Sequence, residues 1–149
     1  MLQAHGIAVE LPAGWSGRLF RRPGGFATLH AATFALPLND GEFGDRSTAA
    51  MPASSAFLAL TEYGPGAGLT PGQGLFAPRR LPVPLDPTSF APERLAHARP
   101  GQRGLQRFFT AAERPFCLYV VIAGPRPRQL PALHRVLSSV RIRPARAFA

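Results

Sequence analysis

Between residues 64 and 101 the chain carries eight of its seventeen prolines and six of its fifteen glycines, and that density governs where regular structure can form. Proline has no N–H to give to a strand ladder or a helix interior, and glycine loses the most conformational freedom on ordering. Long helices and central strands are therefore excluded from this stretch. Within it, Leu81 to Leu85 reads as extended at a sheet edge and Pro87 to Ala91 as a short helical turn. A core must be assembled from the patterned blocks on either side. Irregular connections of this length inside a compact domain are commonly functional.

The first block is rich in period-two alternation, the mark of half-buried strands. Ile7, Val9 and Leu11 alternate with Ala8 and Glu10, and Pro12-Ala13-Gly14 closes the strand as a turn with Trp15 packed beneath it. Arg18 to Arg22 and Phe26 to Leu36 follow as strands, with Pro23-Gly24-Gly25 between them, and the three together predict an antiparallel meander. Alternation puts Phe26, Thr28, His30, Ala32 and Phe34 on one face of the third strand and Ala27, Leu29, Ala31, Thr33 and Ala35 on the other. Residues Pro37 to Pro52 read as a loop with one helical turn near Arg46 to Met51, capped by Ser47. Ser54 to Tyr63 is a further strand, with Phe57, Ala59, Thr61 and Tyr63 on one face and Ala56, Leu58, Leu60 and Glu62 on the other.

The second block predicts a hairpin of Leu105 to Thr110 with Phe116 to Ala123, the latter apolar on both faces and so central in its sheet. Leu130, Leu133, Val136, Leu137 and Val140 recur at helical spacing and give an amphipathic helix over Leu130 to Ser139, with Pro131 harmless in its first turn. A short strand, Val140 to Ile142, follows, and residues 144–149 read as a frayed tail. The expected fold is one α+β domain over residues 1–149: a twisted antiparallel sheet, a C-terminal helix on one face, and the irregular 64–101 segment.

A chain of 149 residues buries enough surface to fold without a metal or disulfide staple. Its one cysteine, Cys117, has no internal disulfide partner, and the first six residues lack the basic-then-apolar order of a secretory signal, so the expected compartment is the cytoplasm. No apolar run approaches the ~20 residues of a membrane span. The net charge of +9 comes entirely from arginine, since lysine is absent, and this matches the codon bias of a GC-rich, bacterial type of genome. Residues 1–63 carry four arginines against five acids, and residues 64–149 carry thirteen against three. An anionic partner would thus meet the second half.

The closing of the first strand in Leu11-Pro12-Ala13-Gly14-Trp15, together with a last helix and strand running Leu133 to Val140 and on through Arg141-Ile142, resembles the Mog1/PsbP-like superfamily. That resemblance covers about the first 36 and last 45 residues. It implies a twisted antiparallel sheet with helices packed against it. It also implies a non-enzymatic style of function: superfamily members bind GTPases, attach to photosystem subunits, or act as lipoproteins and secretion-effector chaperones. No functional residue transfers, because members share no common site.

The chemistry-bearing residues do not cluster. Cys117 lies mid-strand between Phe116 and Leu118, where a thiol is a small, inert core hydrophobe and no nucleophile. His5, His30, His97 and His134 have no metal-ligand spacing, no metal or other cofactor is expected, and no catalytic residue is assigned. The nearest approach to a ligand site is His30 across a strand pair from Glu62 or Tyr63, with Arg107 as an anion contact. Gly64 to Gly74 has the glycines of a phosphate loop but neither its lysine nor a following helix. Asp40, Glu42 and Asp45 read as a solvated acidic loop. On β-alternation, Arg103 and Arg107 form a charged solvent face with Phe108 turned the other way.

The leading expectation is a non-enzymatic protein-binding or adaptor domain, chaperone-like, whose partner is another protein or a second copy. Its interface would be the sheet or the irregular segment, the latter through Phe76, Leu81, Val83 and Phe90. The alternatives are polyanion or nucleic-acid binding through the arginine-rich half, and a small-ligand binder or enzyme with a pocket under residues 64–101.

Overall fold

The computed structural model describes residues 1–21, 23–64 and 70–145. Its strands fall into two antiparallel sheets. The larger is built from β3 (Ser16–Arg21), β4 (Ala27–Ala32), β5 (Ala56–Glu62), β6 (Gln102–Ala111) and β7 (Arg114–Ala123), in the order β3-β4-β5-β7-β6. The smaller contains β1 (Leu2–Ala4), β2 (Ile7–Val9) and β8 (Arg141–Ile142), with β2 in the middle. Helices α1 (Asp45–Ala49) and α2 (Leu130–Ser138) complete an α+β fold.

The meander expected of the front block is β3-β4-β5, and the Ile7 strand is not part of it. The turn at Pro12 to Trp15, closed by a Trp15 N–H to Pro12 carbonyl bond of 3.2 Å, sends the chain from the small sheet into the large one. The small sheet gathers both ends of the molecule: β2 pairs with β1 on one side and with β8 on the other. Leu2 to Ala4 carries no alternation long enough to announce a strand. The β1–β2 loop is two residues, His5 (φ 55°) and Gly6 (φ 77°), the left-handed pair that a tight hairpin requires.

Each face of the large sheet has its own core. On one side Ala27, Leu29, Leu58, Leu60, Leu118 and Val120 pack with Ile7 and Val9 of β2 and with Leu133, Val136 and Leu137 of α2. On the other, Ala32, Phe57, Ala59, Tyr119 and Val121 are covered by Phe34, Phe43, Met51 and Leu95. β7, buried along its whole length, contributes to both. The Ser139 hydroxyl ties the end of α2 to the exit of β2 by donating to the Glu10 carbonyl at 3.1 Å and accepting the Glu10 N–H at 3.0 Å.

The cap of α1 comes from Asp40, not Ser47. Its carboxylate accepts the backbone N–H groups of Arg46 and Ser47, each at 2.9 Å, and the Ser47 hydroxyl at 2.6 Å. A carboxylate reaches two amides at once where a serine hydroxyl satisfies one, which is why the earlier residue takes the role. Burial alone would raise the Asp40 pKa, but the bonds from Ser47, Arg46 and Gly41 outweigh it and hold the group below its usual value.

Residues 70–101 fold over β6 as irregular chain with three single 3-10 turns, one of them Pro87–Ser89. Leu81 to Leu85 forms no strand. Proline at 82 and 84 removes the donors such a strand would need. Of the expected frayed tail, residues 146–149 lie outside the described residues, as do Arg22 and residues 65–69 of the glycine-rich stretch. No helix is long and apolar enough to cross a membrane among the described residues.

Candidate functional site: an open strand edge and the cleft at its end

The sheet separates the residues expected to meet. His30 pairs with Ala59, and Thr28 with Thr61, so Glu62 and Tyr63 lie beyond that pair along β5. Alternation then puts Glu62 on the opposite face from His30. The His30 ring is buried edge-on between Phe20 and Phe57, at centroid distances of 5.0 and 5.1 Å, and its Nε2 bonds the Glu42 carbonyl at 2.9 Å. Desolvation in that position holds its pKa below the ordinary 6.5. Tyr63 packs against Phe76 and Phe108, and burial raises its hydroxyl to about 12. Arg107 stands opposite Leu118 on the α2 side of β6 and donates to the Gln106 carbonyl at 2.8 Å. These four residues form no common site. Arg103 and Arg107 share their face with the buried Leu105 and Phe109, so that face is part core rather than a charged solvent surface.

The irregular segment is not a free interface. Phe76 and Phe90 are 2% and 5% exposed, and Leu81 and Val83 are half-buried against the main core. The sheet edge beneath them has apolar surface to cover, and the chain's own aromatic residues cover it. Cys117 is buried, and desolvation pushes its thiol up to about 12, which keeps it protonated and unreactive. Among the described residues, no group of three or more His, Cys, Asp or Glu is arranged to hold a metal ion.

What the structure does assemble is a cleft of about 760 Å³ where the small sheet meets one end of the large one. No residue of 70–101 lines it, so it is not the pocket expected under the irregular segment. Its floor is an ion pair. The Arg114 guanidinium grips Glu62 through two bonds of 2.9 Å, with only 5% and 12% of the two side chains exposed. Arg114 also donates to the His5 carbonyl at 3.0 Å and to the Arg143 carbonyl at 2.8 Å, and its charge sits 5.3 Å from the Phe116 ring centroid. One side chain thus joins both sheets and both ends of the chain. Gly6 makes this approach feasible: a Cβ there would lie 2.7 Å from Arg114 Nη1. Nothing local in the sequence signals a contact between residues 109 apart.

Beside the cleft runs the edge strand β3. Tyr63 donates to Pro115 and Thr33 to Ala56, which fixes the alternation of ladder bonds across the sheet. Thr28, His30 and Ala32 turn their backbone groups toward β3, and Gly17 and Leu19 turn theirs outward. Among the described residues, nothing bonds those outward N–H and C=O groups. No family model matches this chain, and neither a curated protein nor a solved structure shows significant similarity to it.

Proposed function

We propose that this chain is a non-enzymatic protein-binding domain, of the adaptor or chaperone-like style that its resemblance to the Mog1/PsbP-like superfamily implies. It takes an extended segment of its partner along the outer edge of β3. The observation that carries the reading is the unpaired backbone of Gly17 and Leu19 on a six-residue edge strand. An edge of this kind is a template for another strand, and proteins with no use for one normally cover it. The pairing of β2 with β8, which joins the two segments carrying the resemblance, supports the kinship. The compartment that goes with this reading is the cytoplasm, where a lone thiol stays reduced.

Panning a random peptide library against the protein tests this. Enriched peptides should shift the amide resonances of Gly17 and Leu19, and a Leu19→Pro variant should lose them. Proline at that position removes an outward N–H and leaves the ladder to β4 intact. Enrichment no greater than on a control protein, or binders that map away from β3, would refute the proposal.

A further inference from the structure

We infer that the cleft at the end of β3 recognises an acidic side chain, of Asp or Glu, next to an apolar residue on the extended segment bound at that edge. This rests on the preceding reading and adds to it the chemistry of the partner.

The position comes first. Arg21 ends β3 and also lines the cleft, so a strand laid along the edge runs off its end into that space. The charge comes next. Arg114 is neutralised by Glu62, which leaves Arg21 and Arg143 as the uncompensated charges of the lining. Arg21 commits only its Nε, to the Gly25 carbonyl at 3.1 Å, and the exposed Arg143 guanidinium has no partner among the described residues. Two positive charges with N–H groups to spare, beside an ion pair that is already neutral, favour a carboxylate.

The apolar requirement comes from Phe26, one of four large apolar side chains exposed among the described residues. Its ring is seated against Gly64, where a Cβ would fall 2.1 Å from Phe26 Cε2. The ring therefore presents a fixed face to whatever enters.

One wall is pinned from below. His5 of the β1–β2 turn lines the cleft, and Arg114 holds that turn by donating to the His5 carbonyl at 3.0 Å. A chain terminus is ordinarily captured by a nest of backbone N–H groups, whereas this cleft offers guanidinium groups, which suit a side-chain carboxylate.

The test uses three pools of hexapeptides, random except at one central position and titrated into the isotope-labelled full chain. The first pool is acetylated and amidated with glutamate fixed; the second has glutamine in its place. The third is the glutamine pool with a free C-terminal carboxylate. The glutamate pool should shift Gly6, Phe26 and Ala27 and bind about tenfold more tightly than the glutamine pool. Arg143→Gln, a surface change, should erase that difference while leaving the shifts at Gly17 and Leu19. Equal affinity for the first two pools, with β3 still shifting, overturns this inference and leaves the edge-binding reading standing. Tightest binding of the free-acid pool overturns the side-chain assignment. No shift on β3 with any pool overturns both.

Discussion

The two edges of the large sheet are finished in opposite ways. At β6 the chain covers its own edge: the Pro78 carbonyl accepts from Thr110 at 2.7 Å, Ala91 and Gly104 exchange two bonds, and Phe76 and Phe90 are buried over it. At β3 the outward groups of Gly17 and Leu19 find no partner among the described residues, and the strand leads into a basic cleft. A fold that can spare some thirty residues to shield one edge has the means to shield both. The irregular segment, which its composition marks as the functional part, is thus the shield, and the regular strand β3 is the one whose outward backbone groups have no partner among the described residues.

The open side is nevertheless anchored, and the sharpest way to break the contrast is at its anchor. Arg114→Ala leaves the Glu62 carboxylate buried without its partner, and releases the His5 and Arg143 carbonyls as well. Stability should fall by about 3–5 kcal/mol, measured by urea denaturation. Native-state amide exchange should accelerate most in β1, β2 and β8, with residues 70–101 little affected. Replacing both members of the pair by apolar residues, as in Glu62→Leu with Arg114→Met, should recover most of the loss. A loss below about 1 kcal/mol, the range of exposed pairs, would mean that the two sheets are held by their apolar contacts alone.

Acid should loosen the two edges unequally. His30 sits opposite Arg18 of β3, and burial keeps its folded-state pKa below 6.5. Below that pH the unfolded chain takes up a proton that the folded chain refuses. Stability is therefore fully present above about 6.5 and falls as the pH drops, until the folded-state pKa is passed. Arg18 works against the charged ring, and Asp40 and Glu42 favour it, but desolvation dominates. The melting temperature should decline between pH 7 and 5, with exchange in β3 and β4 rising before that in β6. His30→Gln keeps a donor for the Glu42 carbonyl and should flatten the decline. An unchanged pH profile in that variant would assign the titration to another group.

Alternation made the faces of β4, β5 and β7 legible, because each strand is bounded by a packed layer on both sides and every second side chain must go to the same one. Thus His30 and Leu29 could be assigned to opposite faces of β4, and Phe57 and Leu58 to opposite faces of β5, from spacing alone, while the register that brings His30 against Phe57 comes only from the fold. The C-terminal helix was readable for the same reason, with Leu133, Val136 and Leu137 on its buried stripe. What spacing cannot encode is which distant segment supplies the second layer. β1 is three residues long and gains its place only by pairing with β2, and β2 only by pairing with β8. Phe76 and Phe90 stand in stretches with no period, so their burial follows from the course of the chain over β6. The Arg114 junction was the least legible, since its partners Glu62, His5 and Arg143 are remote in sequence and two of the three contribute only a carbonyl.

The smallest expected effect lies in the turn that feeds the shielded edge. β6 and β7 are joined by Ala112 and Glu113 alone, both left-handed, where hairpins of this length favour asparagine followed by glycine. Alanine at φ 52° suffers the clash of its Cβ with the following carbonyl, and asparagine tolerates the region better through its local hydrogen bonding. Ala112→Asn should therefore stabilise the protein by about 0.5–1 kcal/mol, a rise of roughly 2 °C in melting temperature for a chain of this size. Glu113 stays in place, so its exposed ion pair with Arg79 is kept and the comparison isolates the backbone. Because the turn belongs to the β6 side, the gain should come with no change in peptide binding at β3. A variant that gains stability but loses peptide affinity would show that the strained turn beside Arg114 shapes the cleft, and that the two edges are coupled through it.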